Sequence, residues 1–128
     1  MINKNLDHER ALYAFECVEI IKNLHDDFKG NKYRSAVLSS GILIHKSGLM
    51  QTLSFYISKR KDEHYQKLAT HILNWNEICG GNDEPLVAYH KLLNLPDDEI
   101  IQKTQEAKAL ILWLKNFSDA MLNLKKEK

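Results

Sequence analysis

Three consecutive basic residues, Lys59, Arg60 and Lys61, are the first feature of this sequence that could do chemistry. They end a basic stretch, because residues 29–67 carry eight basic and two acidic side chains, a net charge of +6. Residues 68–99 carry one basic and six acidic side chains, a net charge of −5, although the whole chain has a net charge of only +1. This segregation predicts one positive face that suits phosphates and one negative face that repels them. The alternative is that the charges solvate helix surfaces and meet no partner.

The six histidines do not have the spacing of a metal site. His64 and His71 are seven residues apart, so two turns of a helix would separate them by about 10 Å, too far for one metal ion. The sequence contains no HExxH motif and no Glu-x-x-His pair. We therefore expect neither a metal nor another cofactor.

A helical ribonuclease of the HEPN kind is the enzymatic alternative. In that family a histidine follows an arginine at a somewhat longer spacing than here, where three residues separate Arg60 from His64. The sequence has no glycine-rich phosphate loop, no GxSxG motif and no pairing of a nucleophile with a base. We expect no catalysis, and incubating the protein with RNA, with and without His64→Ala, distinguishes the two interpretations.

The two cysteines, Cys17 and Cys79, lie far apart and form no CxxC pattern. Both fall on apolar stripes, so we expect buried free thiols in a reducing compartment. The N-terminus lacks the apolar stretch of a signal peptide, and no run of about 20 apolar residues occurs. These features predict a cytoplasmic protein with no membrane contact.

The two tryptophans, Trp75 and Trp113, fall on helical stripes or at their edges. An aromatic side chain at helical spacing is usually part of the core. Trp113 is the better candidate for stacking on a nucleic-acid base, because Lys108 and Lys115 share one helix face beside it.

The chain of 128 residues is long enough to form one domain with its own core, and its 44% hydrophobic content is ordinary for a soluble protein. Apolar residues recur three and four positions apart, which predicts an all-α fold. We expect a compact single-domain bundle over residues 1–128 with about six helices, at about 6–28, 32–46, 47–61, 62–79, 84–93 and 97–124. Gly30 and Asn31 are expected to end the first helix. Gly48 is expected to separate the second from the third, because glycine accepts a positive φ.

Three blocks of this sequence resemble the small all-helical subunit of the type III-B CRISPR–Cas effector, the Cmr complex. The first block is Glu9-Arg10-Ala11, with Ala14, on the opening helix. The second is the segment around the helix break at residues 44–55, IHKSGLMQTLSF. The third is Glu106-Ala107 followed by residues 111–117, ILWLKNF. The blocks lie between residues 9 and 117, and the resemblance that they carry covers most of the chain.

The resemblance implies a non-catalytic subunit of an RNA-guided antiviral complex. Several copies of such a subunit stack beside the backbone subunits, line the path of the guide and target RNA, and touch the large polymerase-like subunit. We expect its basic residues to contact phosphates without reading sequence, because base pairing with the guide supplies specificity. The residues expected to bind RNA are Arg34, Lys46, Lys59, Arg60, Lys61, Lys108 and Lys115.

Two further interpretations remain open. The chain is also similar to the equivalent small subunit of the related type III-A complex, the Csm complex, although the Trp113-Leu114-Lys115 block favours the Cmr side. Alternatively, it is a protein–protein adaptor whose basic face meets an acidic partner and no RNA.

Overall fold

The protein is an all-α bundle in the computed structural model, which describes residues 5–24, 27–77 and 84–122. These residues form five α-helices and no strand. The all-α expectation is confirmed, whereas the expected number of about six helices is wrong, because two expected helices form one element. The helices are α1 (Leu6–Leu24), α2 (Asp27–Ser58), α3 (Glu63–Trp75), α4 (Pro85–Leu93) and α5 (Asp97–Met121).

α2 contains the break that the sequence predicts at Gly48. Its backbone there has φ 84° and ψ 167°, well outside the helical region. The Tyr56 hydroxyl donates a hydrogen bond of 3.4 Å to the carbonyl of Ala36, twenty residues earlier. A straight helix would hold these residues about 30 Å apart. The two halves of α2 therefore fold back on each other as a helical hairpin, so the position of the break is right and only the helix count is wrong.

The expected end of the first helix at Gly30 and Asn31 is wrong. α1 ends at Leu24 and α2 begins at Asp27, so Gly30 lies within the first turn of a new helix. A Cβ added to Gly30 would lie 3.5 Å from Cδ2 of Leu122, an ordinary van der Waals contact. Because Gly30 is buried against the end of α5, tertiary packing outweighs the weak tendency of glycine to end a helix.

The first half of α2 runs antiparallel to α5. Gly30 lies against Leu122, and Gly41 lies 3.8 Å from Ile111 when a Cβ is built on it, so residue numbers rise on one helix as they fall on the other. α1 also packs on α5, and α3 packs on the hairpin. The largest fully buried side chains come from all five helices: Tyr33, Tyr56, Ile21, Ile44, Leu49, Leu53, Leu68, Ile72, Leu73, Leu92, Leu110 and Leu114.

Cys17 is a buried free thiol, as the sequence predicts. Burial raises the pKa of its thiol to about 12, so the sulfur stays protonated at neutral pH. Cys79, the other predicted buried thiol, lies outside the described residues. None of the described helices is both long enough and apolar enough to cross a bilayer.

Candidate functional site

Lys59, Arg60 and Lys61 form an exposed turn between α2 and α3, here called the basic turn. Its backbone is held by a side chain of α3: the amide of Gln66 donates hydrogen bonds of 2.9 Å to the carbonyls of Tyr56 and Lys59. These bonds satisfy carbonyls that the end of a helix leaves unpaired. The basic turn therefore presents three positive charges from a backbone fixed to the hairpin.

An aromatic cluster lies beside the basic turn. The ammonium of Lys59 lies 5.1 Å from the centroid of the Phe55 ring. That ring packs edge-on against Tyr65, with centroids 5.8 Å apart, and Tyr65 stacks on the buried ring of Tyr56 at 5.0 Å. A cation over an exposed ring contributes about 0.5–1 kcal/mol. One of the three charges thus has a preferred position above an aromatic surface.

Arg34 and Lys115 are brought together by one carboxylate. Nε of Arg34 donates to Oδ1 of Asp119 at 2.8 Å, and Nζ of Lys115 lies 3.9 Å from Oδ2 of the same residue. Asp119 therefore compensates part of the positive charge at this place. The structure puts two of the predicted RNA-binding residues side by side, although 81 positions separate them in sequence.

Lys46 and Lys108 belong to neither of these groups. Lys46 is exposed, two residues before the kink of the hairpin. Lys108 is half-buried on α5, about 10 Å along the helix axis from Lys115. Among the described residues neither lysine makes an ion pair. The seven predicted residues therefore form one group of three, one pair and two separate cations.

His64, the predicted residue of the ribonuclease alternative, lies in a cleft between α2 and α3. Its ring lies 4.3 Å from that of Tyr65, and Lys32 and Asp62 line the same cleft. Partial burial is the main cause that lowers the pKa of His64; the charge of Asp62 opposes this shift and that of Lys32 adds to it. The lowered pKa favours the neutral form of the His64 ring.

His71 lies in a different environment from His64. Its Nδ1 is 2.7 Å from the hydroxyl of the fully buried Tyr33. Across the part of the chain that the structure describes, no three His, Cys, Asp or Glu side chains are placed to hold a metal ion.

Sequence reasoning missed a polar network that joins α1, α3 and α5. The Arg10 guanidinium donates through Nε and Nη2 to the two oxygens of Glu106, with an Nη2–Oε1 distance of 3.0 Å. The indole N–H of Trp75 donates to the same carboxylate at 2.9 Å. The guanidinium is the main cause that holds the pKa of Glu106 below its usual range. The only signal in the sequence is that Arg10 and Glu106 both fall in the blocks that carry the resemblance.

Trp113 lies at the outer edge of this network. Its indole N–H donates to Oδ1 of Asp7 at 2.9 Å, and its ring stacks on Phe117 with centroids 5.8 Å apart. The ring is half-buried and so is neither a full core residue nor a free platform. Its face and its N–H already have partners within the chain.

The comparisons with known proteins agree on one family. Residues 6–121 match the family model described as CRISPR-associated protein (Cas_Cmr5). The crystal structure of a CRISPR-associated Cmr5 family protein from Thermus thermophilus superimposes with a TM-score of 0.75 at 20% sequence identity. The match covers 92% of this chain and 98% of that one, so the two share the fold over nearly their whole lengths. The chain belongs to the Cmr5 family of CRISPR-associated proteins, the small helical subunit of the type III-B Cmr complex that the three sequence blocks predict.

Proposed function

We propose that this small subunit is non-catalytic and lines the path of the guide and target RNA through its basic turn. The observation that carries the proposal is the exposure of Lys59, Arg60 and Lys61 on a backbone that Gln66 fixes to the hairpin. Charges held in this way can contact the phosphates of an RNA of any sequence. Sequence selection is left to base pairing with the guide.

Arg34, Lys46, Lys108 and Lys115 extend the contact in the proposal, with unequal weights. Lys46 and Lys108 have no ion pair within the described chain, so their full charge is open to phosphates. Arg34 and Lys115 share Asp119 and contribute less, because that carboxylate offsets part of their charge. Each contact is weak alone, but several copies in a row act together through effective concentration.

Protein neighbours complete the proposed assembly, which acts in the cytoplasm. Ile42 on α2 and Leu112 on α5 are 64% and 65% exposed. They directly follow Gly41 and Ile111, the two residues through which α2 and α5 touch at this point. Neighbouring large apolar side chains left in water are typical of a protein contact surface. We assign this surface to further copies of the chain, the backbone subunits or the large polymerase-like subunit.

Replacing Lys59, Arg60 and Lys61 together by Ala tests the proposal. The fold should be retained, because all three side chains are exposed and the bonds of Gln66 go to backbone carbonyls. Loss of three phosphate contacts per copy should weaken retention of target RNA by the assembled complex at least tenfold at physiological salt. The slope of log affinity against log salt should also become shallower.

The matched control removes three positive charges elsewhere, by replacing Lys22, Lys67 and Lys91 with Ala. Net charge changes equally, so the comparison separates the position of the lost charges from their number, although the control also removes the ion pair of Lys67 with Glu63. An equal loss of RNA retention in the two variants would mean that RNA binding depends on the overall charge of the protein and not on the basic turn. Unchanged retention in the first variant would favour a protein–protein adaptor without RNA contact.

A further inference from the structure

Two adjoining clefts run along the first half of α2. The first has a volume of about 570 Å³, and Asn31, Ser35 and Ser39 form its α2 wall. The second has a volume of about 390 Å³, and Leu43 and Ser47 continue the same wall. These five residues follow one another at intervals of four, so each lies one turn beyond the last. The side chains of this wall are short and mostly polar, and the wall extends about 24 Å along the helix axis.

The two clefts meet at a pair of aromatic rings. Tyr65 lines the first cleft and Phe55 the second, and their ring centroids are 5.8 Å apart. Ser39 and Leu43, which line the facing wall on either side of this pair, are one helical turn apart. The two clefts lie in line along one face of α2 with these rings between them, and together they are here called the hairpin groove.

Positive charge surrounds the hairpin groove. Lys32 lines one end, the exposed Lys46 directly precedes Ser47 in the sequence at the other end, and Lys59 lies over the central Phe55 ring. Asp62 is the one carboxylate among the residues that line the two described clefts. The balance of charge along the groove favours an anionic occupant with several charges in a row.

We propose that the hairpin groove holds a single-stranded segment of RNA, with one base stacked on Phe55. This inference rests on the proposed function and deepens it by naming where the strand lies. Proteins that bind single strands without sequence preference combine a cationic groove with an aromatic ring that stacks on a base. Phe55 is 42% exposed, and the ammonium of Lys59 lies over its ring. A stacked base would displace that ammonium toward a phosphate of the bound strand.

The hydroxyls of Ser35 and Ser47 and the Asn31 amide supply the remaining contacts, whereas the Ser39 hydroxyl already donates to the carbonyl of Ala36. Such groups donate to phosphate and sugar oxygens of any nucleotide, so they position a strand without reading its sequence. Lys59 lies over Phe55 and Lys46 precedes Ser47 in the sequence, and these lysines would meet phosphates on either side of the stacked base. We therefore expect the chain to bind strands that carry bases more tightly than abasic sugar–phosphate strands.

Phe55→Leu tests the stacking contact directly. The full chain is titrated at low salt against a labelled oligoribonucleotide of mixed sequence and against an abasic strand of equal length. The wild-type chain should bind the base-carrying strand at least fivefold more tightly, since one stacked base contributes about that factor or more. Phe55→Leu should abolish the preference and leave binding of the abasic strand unchanged.

Phe15→Leu is the matched control, because Phe15 is 41% exposed and lies against Phe117, away from the groove. It should preserve the preference for bases. The inference is wrong if the wild-type chain binds both strands equally, or if Phe55→Leu keeps the preference. The charge contacts of the basic turn can still hold in either case, because the triple alanine variant measures them separately.

A second variant keeps the test informative if Phe55→Leu disturbs the neighbouring Tyr56 and Tyr65. Ser35→Glu places a carboxylate in the groove at an exposed helical position, where folding is unaffected. Repulsion of phosphates should weaken binding of both strands at least fivefold. Gln105→Glu, an equal charge change at an exposed position of α5, should have no such effect. Equal behaviour of the two Glu variants would contradict a strand in this groove.

Discussion

At the scale of single residues, His71 shows how a polar group is accommodated where three helices meet. The hydroxyl of Tyr13 on α1 donates to the His71 carbonyl at 2.7 Å, and the hydroxyl of Tyr33 on α2 lies 2.7 Å from its Nδ1. Burial keeps the Tyr33 phenol protonated by raising its pKa, so the hydroxyl can donate to Nδ1 of a neutral ring. Burial lowers the pKa of His71 to about 4, and the charge of Lys67 adds to the shift.

The free energy of unfolding should therefore fall as the pH is lowered from about 6.5 to about 4. In the unfolded chain a histidine takes up a proton near pH 6.5. In the folded chain His71 stays neutral until about pH 4. Because the unfolded state binds the proton first, acid favours unfolding, by at most about 3 kcal/mol for this residue. Urea unfolding followed by circular dichroism at several pH values measures the slope.

His71→Gln isolates this contribution from that of His64, whose pKa is also lowered by burial. The variant should be less stable than the wild-type chain at pH 7, because a buried hydrogen bond and close packing are lost. It should also lose most of the slope between pH 6.5 and 4. A variant with an undiminished slope would show that His71 is not the titrating group.

At the scale of secondary structure, the hairpin of α2 depends on one glycine. Gly48 has a φ of 84°, a value that side chains with a Cβ rarely adopt. No heavy atom lies within 4 Å of a Cβ built there, so the requirement for glycine comes from the backbone and not from crowding. The turn at Gly48 allows Tyr56 to reach Ala36, and so it brings the two halves of α2 together around the second cleft of the hairpin groove.

Gly48→Ala should destabilise the protein by about 1–3 kcal/mol, the usual cost of holding a residue with a Cβ in such a conformation. Gly41→Ala is the matched control, because Gly41 lies within a helical half and its new methyl group would meet Ile111 at 3.8 Å. Alanine there should be neutral or stabilising by up to about 1 kcal/mol. Thermal unfolding of both variants makes the comparison; the reverse order of stability would contradict this account of the turn.

The sequence predicts the helices well where apolar residues and backbone requirements agree. Ala14, Cys17 and Ile21 of α1 lie three and four positions apart and are buried, and Gly48 breaks the helix as expected. The prediction at Gly30 is wrong because a glycine pattern in sequence does not reveal that Leu122, 92 positions later, packs against it. Local signals place a helix end only when no distant contact outweighs them.

At the scale of the whole molecule, the sequence shows which residues are charged but not which residues they contact in the fold. The basic run at Lys59 is visible without a structure, and it does form one exposed turn. The pairing of Arg34 with Asp119 depends on the antiparallel packing of α2 on α5, which composition and periodicity do not encode. The sequence does not reveal the hairpin groove for the same reason, because serines four residues apart are ordinary until the fold places Phe55 and Tyr65 opposite them.

The network around Glu106 gives this bundle a fixed shape. It ties Arg10 of α1 and Trp75 of α3 to one carboxylate of α5. A bundle held in this way can present the basic turn and the hairpin groove at constant positions in every copy. Regular placement matters in the proposed role, because contacts in successive copies must meet a continuous strand.

The most direct test of the central claim is ultraviolet cross-linking of the assembled complex to its guide and target RNA, followed by mass spectrometry. We predict cross-links from RNA to residues 55–65 of this chain, which hold Phe55 and the basic turn. The same peptide should be labelled with two target RNAs of unrelated sequence, because the contacts do not read bases. Cross-links confined to other subunits, or to α4 of this chain, would contradict the claim that this surface contacts RNA.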